Sequence, residues 1–559
     1  MRGLIAERAR LLTLLVPVLG VGLIAAACSG SPTPAAPAAT SAPKAAATSA
    51  PAAPAATSAP ALSTSSGGKT IVLAFSDGGT TLDPYQANDL TSDTLTMAIY
   101  DNLVQLGKKT VDGKVYADDT KIEPMLAESW TPSADGKSYT FKLRKGVKFQ
   151  NGDPLIADAV KFSFEKLLKD GASGKFLFDT AAIDTSKPVE VIDDSTVKIN
   201  LTRPNATFLQ VISLYNFAIV NPKVMAGKPT DFLAKNAEGT GTGAYKLASW
   251  NPATEADFVA NKDYWGGAPK ADKIVIKFIK EDSTRLMMLQ SGDVNLAIEI
   301  PPKDVDTLKK NANLTVRSDP SGRILYFLLN TKVKPFDNPK VRQALSYAVP
   351  YDDLIGKVMN GQAKQLKGPC PSFMPMSDGS VWNYKYDLDT AKKLLTEAGY
   401  PDGFSFDFVL GSGFSDWEQD AVLIQASFAK IGVKMNIQNM ARSEFLQVIK
   451  KNETPAFISK WTSFVNDPGY HLGFLLQTGG GSNYGNYSSP VVDKALADAK
   501  NEMDPAKRAQ LYGQAQQQIE KDAPWITLYE YNRIIVYNKN LQGYAFYVDE
   551  LIRLRDLSK

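Results

Sequence analysis

Histidine and cysteine are nearly missing from this chain. Its 559 residues hold one histidine, His471, and two cysteines, Cys28 and Cys370. A structural zinc site takes about four Cys or His ligands, more than the whole chain supplies. A Ser–His–acid arrangement would have to use His471, and no G-x-S-x-G elbow occurs. Phosphate-binding loops are missing too: GKS at 136–138 lacks the upstream glycine of G-x-x-x-x-G-K-[ST]. GTGTGAYKLASW at 239–250 has the glycines of a dinucleotide loop. The alternation of Tyr245 and Leu247 after it reads as a strand, however, where that fingerprint needs a helix. A large charge of either sign is also absent. The formal net charge is +3, and Arg2, Arg8 and Arg10 against Glu7 supply +2 of it, so nucleic acid is not an expected partner. Together these absences argue against an enzyme, a metal site or a cofactor.

What is present is ordinary for a globular protein: 44% hydrophobic and 22% charged residues, in a length suited to roughly three domains. The ends of the chain differ from its body. Residues 1–27 have a charged start and an apolar run from Leu11 to Ala27 broken by Pro17, Gly20 and Gly22. At ~17 residues the run is short for a membrane span and suits a secretory signal. It ends in Ile24-Ala25-Ala26-Ala27-Cys28, and small residues before a cysteine resemble a bacterial lipobox, which implies lipidation at Cys28. An uncleaved membrane anchor is the other reading, and both put the remainder outside the cytoplasm. From 29 to 66 nearly every residue is Ala, Pro, Ser or Thr, and ATSAP recurs at 39–43, 47–51 and 56–60. Such a segment lacks the apolar side chains that offset ordering entropy, so it is expected to be a disordered linker. At on the order of 3 Å per residue it would reach about 100 Å.

From Gly67 onward strands and helices mix without an internal repeat. KTIVLAFSD, KSYTFKLRKGVKF, TVKINL and KIVIKFI read as strands. Asn338-Pro339, Ser489-Pro490 and Asp504-Pro505 each place a capping side chain before a proline at the first helical position. DLDTAKKLLTEAGY is a helix ended by Gly399. The fold class expected is α/β.

Residues 126–168, LAESWTPSADGKSYTFKLRKGVKFQNGDPLIADAVKFSFEKLL, resemble the signature of the family 5 extracellular solute-binding proteins, the oligopeptide-, dipeptide- and nickel-binding components of ABC importers. The likeness continues through GTGAYKLASW, NKDYWGGAPKADKI, LLNTKVKPFDNPKVRQALSYAV, AKKLLTEAGYPDGF, IQASFAKIGVKMNI and NYSSPVVDKALADA to APWITLYEYN. It implies a type II periplasmic-binding-protein-like fold of two jaws and an inserted domain, joined by a hinge. Lobe I would take 67–110, 239–320 and 527–559, domain II 111–238, and lobe III 321–526. It also implies a monomer outside the cytoplasm, in the periplasm or on the outer face of the plasma membrane, that closes on a solute. The implied partners are a permease and its ATPase subunits.

In peptide-binding members the segment matching 461–468 is W-x-x-D-x-x-[DE]-P, whose first aspartate pairs with the peptide α-ammonium. Trp461, Asp467 and Pro468 match, but that aspartate is replaced by Phe464. The arginine that dipeptide-binding members carry for the peptide carboxylate has no counterpart in 410–420. Both end-anchoring charges are thus missing from their expected places, and the implied wall is aromatic and carboxamide-rich: Trp382, Phe414, Trp417, Trp461, Phe464 and Tyr484, with Asn466 and Asn483. Glu299 falls among lobe I cleft residues, and Thr80 and Tyr85 fall in the cleft floor. The expected ligand is peptide-like or oligosaccharide-like, and the alternatives are a binding protein for a metal chelate such as nickel or a non-catalytic sensor. Three roles are open to His471: a base, a chelate ligand, or a packed or cleft-rim residue. Cys370 reads as a buried thiol or a cleft-lining one.

Overall fold

The computed structural model describes residues 69–559. The signal, Cys28 and the 29–66 linker lie outside the described residues. Eleven strands form one sheet. Across it the order is Lys434–Met440, Ser405–Gly411, Ala456–Thr462, Leu314–Leu329, Trp525–Asn538, Leu296–Ile298, Thr70–Phe75, Lys273–Phe278, Glu255–Ala260 and Tyr245–Asn251, while Ala363–Gln365 pairs with Trp525–Asn538 off this path. Lobe III strands therefore lie on one side and lobe I strands on the other. Two long antiparallel strands in the middle, Leu314–Leu329 and Trp525–Asn538, carry the sheet across. The boundaries expected at 320/321 and 526/527 fall inside these two strands, and 110/111 falls inside Val104–Val111.

The long pair slips register between Pro320 and Ile324. Proline has no N–H to donate to the ladder, and here Ser321, Gly322 and Arg323 stand against Tyr531 alone; extra residues on one strand bend it. Beyond the slip the residues of Leu314–Leu329 alternate. Leu325, Phe327 and Leu329 enter one core with Leu345, Phe408 and Ile458, while Ile324, Tyr326 and Leu328 enter another with Phe457 and Leu475. The sheet is thus covered on both faces here, as period-two geometry requires of an all-apolar strand. On the lobe I side Ile71, Leu73, Phe258 and Ile276 build a separate core, shared with Phe141, Phe164 and Phe208 of the inserted domain. That domain has its own four-stranded sheet, ordered Ala127–Pro132, Ser138–Leu143, Thr196–Asn200 and Val189–Asp193.

Local signals acted as expected. Asn338, Ser489 and Asp504 accept hydrogen bonds from backbone N–H groups in the first turns of Pro339–Tyr347, Pro490–Asn501 and Pro505–Asp522. Leu388–Glu397 ends before Gly399, whose φ of 91° is one that glycine adopts freely. Tyr245–Asn251 is a strand, as the alternation required. The inserted domain also touches the long central strand and the helices beyond it. The Tyr116 hydroxyl donates to Asp319 (3.0 Å), Lys500 pairs with Asp179 (3.0 Å), and Phe176 packs on Tyr470 and Phe474.

Candidate ligand-binding site

A cleft of about 570 Å³ opens where the two long strands cross between the lobes. One wall is the start of helix Ser415–Ala429. Gly411-Ser412-Gly413 releases the chain from strand Ser405–Gly411, so that Phe414 stands just outside the helix and Trp417 lies in its first turn. Their rings stack with centroids 4.3 Å apart. Trp417 is fully buried, and its indole N–H donates to the Tyr531 hydroxyl (3.2 Å), which donates in turn to Asp416 (2.8 Å). The free face of Phe414 meets cations: Lys460 Nζ lies 4.4 Å from the ring centroid, and the Arg442 guanidinium lies 5.3 Å away. The opposite wall brings Glu299, exposed and at φ 56°, with its carbonyl accepting from Arg285 (2.9 Å).

The charge of this cleft is mixed. Arg323 Nη2 is 2.5 Å from the buried Glu550 carboxylate and Arg533 Nη1 is 3.6 Å from it. Burial alone would raise the Glu550 pKa, but the two guanidinium groups outweigh it and hold the carboxyl below its ordinary range. Lys460 has no such partner. Among the described residues its ammonium makes no salt bridge within 4.0 Å and no hydrogen bond. Burial first, then repulsion from Arg323 and Arg442, pushes its ammonium down to about 8, against the pull of Asp416 and Glu299.

Of the residues expected from sequence, Glu299, Phe414 and Trp417 meet in this cleft. The others go elsewhere. Tyr85 is a core side chain whose hydroxyl donates to the Ala218 carbonyl (3.0 Å). Thr80 is exposed and donates to Asp89 (2.8 Å). Trp382 packs edge-on against Tyr351 and Tyr384. Asn483 is occupied by the Gln477 and Tyr487 carbonyls and the Tyr487 N–H, which makes it a turn-holding residue. Tyr484 lies against Phe457. Asn466 donates to Asp119 of the inserted domain (2.6 Å). Trp461, opposite in pleat to Lys460, stacks on Phe474 (4.8 Å) beside Phe176, and Phe464 lies half-buried against the lobe I core. The Asn483 carboxamide and the Asn466 N–H are thus spent on the protein itself, while the Asn466 oxygen is buried with no partner among the described residues.

His471 is buried, with Nδ1 2.6 Å from the Ser463 hydroxyl, and burial pushes the imidazole down to about 3. Asp467 caps helix Pro468–Leu475 and pairs with Arg508 (2.7 Å) and Tyr512 (3.0 Å). The Cys370 thiol is buried and pushed well above its usual range by desolvation. Among the described residues no cluster of His, Cys, Asp or Glu could hold a metal ion.

Sequence reasoning missed Lys460, Arg323, Arg533, Asp416 and Glu550. One signal was available for Lys460: it is the only charge in the apolar strand Ala456–Thr462.

The family model described as bacterial extracellular solute-binding proteins, family 5, matches residues 121–483. The chain belongs to this family. Glutathione-binding protein GsiB of Salmonella typhimurium is 33% identical over 493 residues, covering 85% of this chain and 92% of that protein, and GsiB of Escherichia coli K12 is 32% identical. Among solved structures, the periplasmic binding protein DppA of Helicobacter pylori in complex with the peptide STSA is 30% identical with a TM-score of 0.75, covering 88% of this chain and 98% of that one. HbpA2 of Haemophilus parasuis is 27% identical with a TM-score of 0.76, covering 88% and 99%. This family 5 member has the type II periplasmic-binding-protein fold expected of it. Among the described residues no helix is long and apolar enough to cross a membrane.

Proposed function

We propose that this solute-binding protein is the receptor of an ABC importer, takes up a small peptide-like ligand between lobes I and III, and delivers it to a membrane permease served by ATPase subunits. The observation that carries the ligand class is the mixed charge of the cleft: Lys460 without a partner, and Asp416 and Glu299 facing the same space. A zwitterionic peptide presents both signs. A neutral oligosaccharide would leave these charges desolvated and unmatched, which costs several kcal/mol per ion. The glutathione-binding and peptide-bound relatives are consistent with this choice. The nickel-chelate alternative loses its protein ligand, since His471 is enclosed beside Ser463.

In this reading lobe I (67–110, 239–320, 527–559) and lobe III (321–526) are jaws joined through the two long strands, and domain II (111–238) is an insertion. The receptor works as a non-enzymatic monomer, lipid-anchored at Cys28 outside the cytoplasm by the 29–66 linker. Mass spectrometry of whatever co-purifies with the full chain, followed by calorimetry with glutathione, di- and tetrapeptides, maltotriose and a nickel chelate, tests it. Tight binding of maltotriose or the chelate with none of the peptides would overturn it.

A further inference from the structure

We infer that Lys460 is the residue that selects ligands bearing a free carboxylate, by offering them an ammonium that no side-chain carboxylate of the cleft has paired. This rests on the proposal of a peptide-like ligand in the same cleft, and it goes further in naming the group recognised and the residue that recognises it.

The geometry follows from the strand. Ala456–Thr462 pairs with Leu314–Leu329 so that Lys460 stands opposite Leu325 and Thr462 opposite Arg323. Arg323 and Lys460 therefore share a face, with Lys460 one pleat step further into lobe III. The two cations differ in what they have to bind. Arg323 and Arg533 share one buried counter-ion, Glu550, at 2.5 and 3.6 Å. Lys460 is half-buried, and its ammonium lies over Phe414 (4.4 Å) and makes no hydrogen bond among the described residues. A ring face contributes roughly 0.5–2 kcal/mol to a cation, much less than a carboxylate does in a site from which water is excluded. Asp416 is the nearest candidate from the helix wall, but its carboxylate accepts from Tyr531 (2.8 Å) and it forms no salt bridge with Lys460. An ammonium left in a cleft without its counter-ion is a docking point for an incoming one. Lysine is suited to this as a compact point charge on a flexible stem. The carboxylate anchor absent from 410–420 thus comes from the neighbouring strand.

The groups facing Lys460 set a pH dependence. Arg323 and Arg533 stand on the two long strands, Arg442 on helix Arg442–Ile449, Asp416 at the start of Ser415–Ala429, and Glu299 and Tyr531 on the cleft walls. With the empty-cleft ammonium at about 8, a bound carboxylate raises that value, so binding near pH 8 takes up a proton and weakens as pH rises.

The test is calorimetry on the full chain with Ala-Ala and Ser-Thr-Ser-Ala, each as free acid and as C-terminal amide, at pH 7 and pH 9.5. Wild type should prefer the acid by about 10- to 100-fold, the range of a hydrogen bond to a charged group. Lys460→Met should remove the preference and Lys460→Arg should keep it. Once the ammonium titration of each peptide, measured separately for acid and amide, is divided out, the acid-over-amide ratio of wild type should fall between pH 7 and pH 9.5, a comparison that needs no variant to fold. Equal binding of acid and amide by wild type, or a preference that survives in Lys460→Met, would overturn the role of Lys460 while leaving a peptide receptor. Binding of no peptide in either form would overturn the peptide reading itself.

Discussion

Glu550 should be among the most costly single carboxylates to remove from this protein. Its side chain is 1% exposed and faces Arg323 at 2.5 Å and Arg533 at 3.6 Å, whose side chains are 21% and 5% exposed. Arg323 belongs to one long central strand and Arg533 to the other, so one carboxylate ties together the strands that join the lobes. In Glu550→Ala both guanidinium groups lose their counter-ion beside Lys460. Breaking a buried pair by removing one partner costs about 3–5 kcal/mol. The lower end applies here, because Arg323 can swing its one-fifth-exposed head toward water while Arg533 cannot. With a urea slope of at least ~3 kcal/mol per M for a chain of this size, the unfolding midpoint should fall by on the order of 1 M. Glu550→Gln keeps an acceptor and should cost about 1.5–3 kcal/mol.

The pH dependence has a definite sign. The carboxyl is held below its unfolded-state value by the two arginines. Its contribution is therefore fully present above pH ~4.5 and is lost as pH falls through the lower folded value. The gap between wild type and Glu550→Gln should narrow in acid and be constant from pH 6 to 8. Urea titrations followed by tryptophan fluorescence at pH 4, 6 and 8 check this. A midpoint shift for Glu550→Ala that corresponds to less than ~1 kcal/mol, or a gap that widens in acid, would refute the account.

Three other expectations concern anchoring, closure and the aromatic wall. Cys28→Ser should abolish fatty-acid labelling of the protein, and equal labelling of wild type and variant would exclude the lipobox. A saturating peptide should compact the body in solution scattering and stabilise it by RT ln(1 + [L]/Kd), about 2.7 kcal/mol at a hundredfold excess over Kd. Unchanged scattering with a tightly bound ligand would count against jaws that close. Trp461→Ala removes a ring stacked on Phe474 at the contact with the inserted domain. It should lower thermal stability by about 2–4 kcal/mol while changing peptide affinity less than threefold, and the reverse pattern would put the indole in the ligand site after all.

The family, the α/β class and the helix caps were legible in the sequence because each is written in contiguous residues. Asn338-Pro339, Ser489-Pro490 and Asp504-Pro505 need only their own backbone to cap a helix, and Tyr245 and Leu247 need only alternation to declare a strand. Glu299, Phe414 and Trp417 could be named from a segment's place in the family pattern, and all three line the cleft. Tertiary structure decided the rest, because hydrogen-bond capacity and charge are shared among residues far apart in the chain. Asn466 and Asn483 looked free for a ligand until Asp119 and the Gln477 and Tyr487 carbonyls were brought beside them. Tyr85 looked like a cleft floor until the Ala218 carbonyl was brought up to accept a hydrogen bond from its hydroxyl. The cations at 323, 460 and 533 were not legible because they stand on three different strands, and the carboxylate shared by two of them is at 550. A sequence states which side chains carry charge. Only the packed chain states which of those charges have already found each other, and therefore that Lys460 has not.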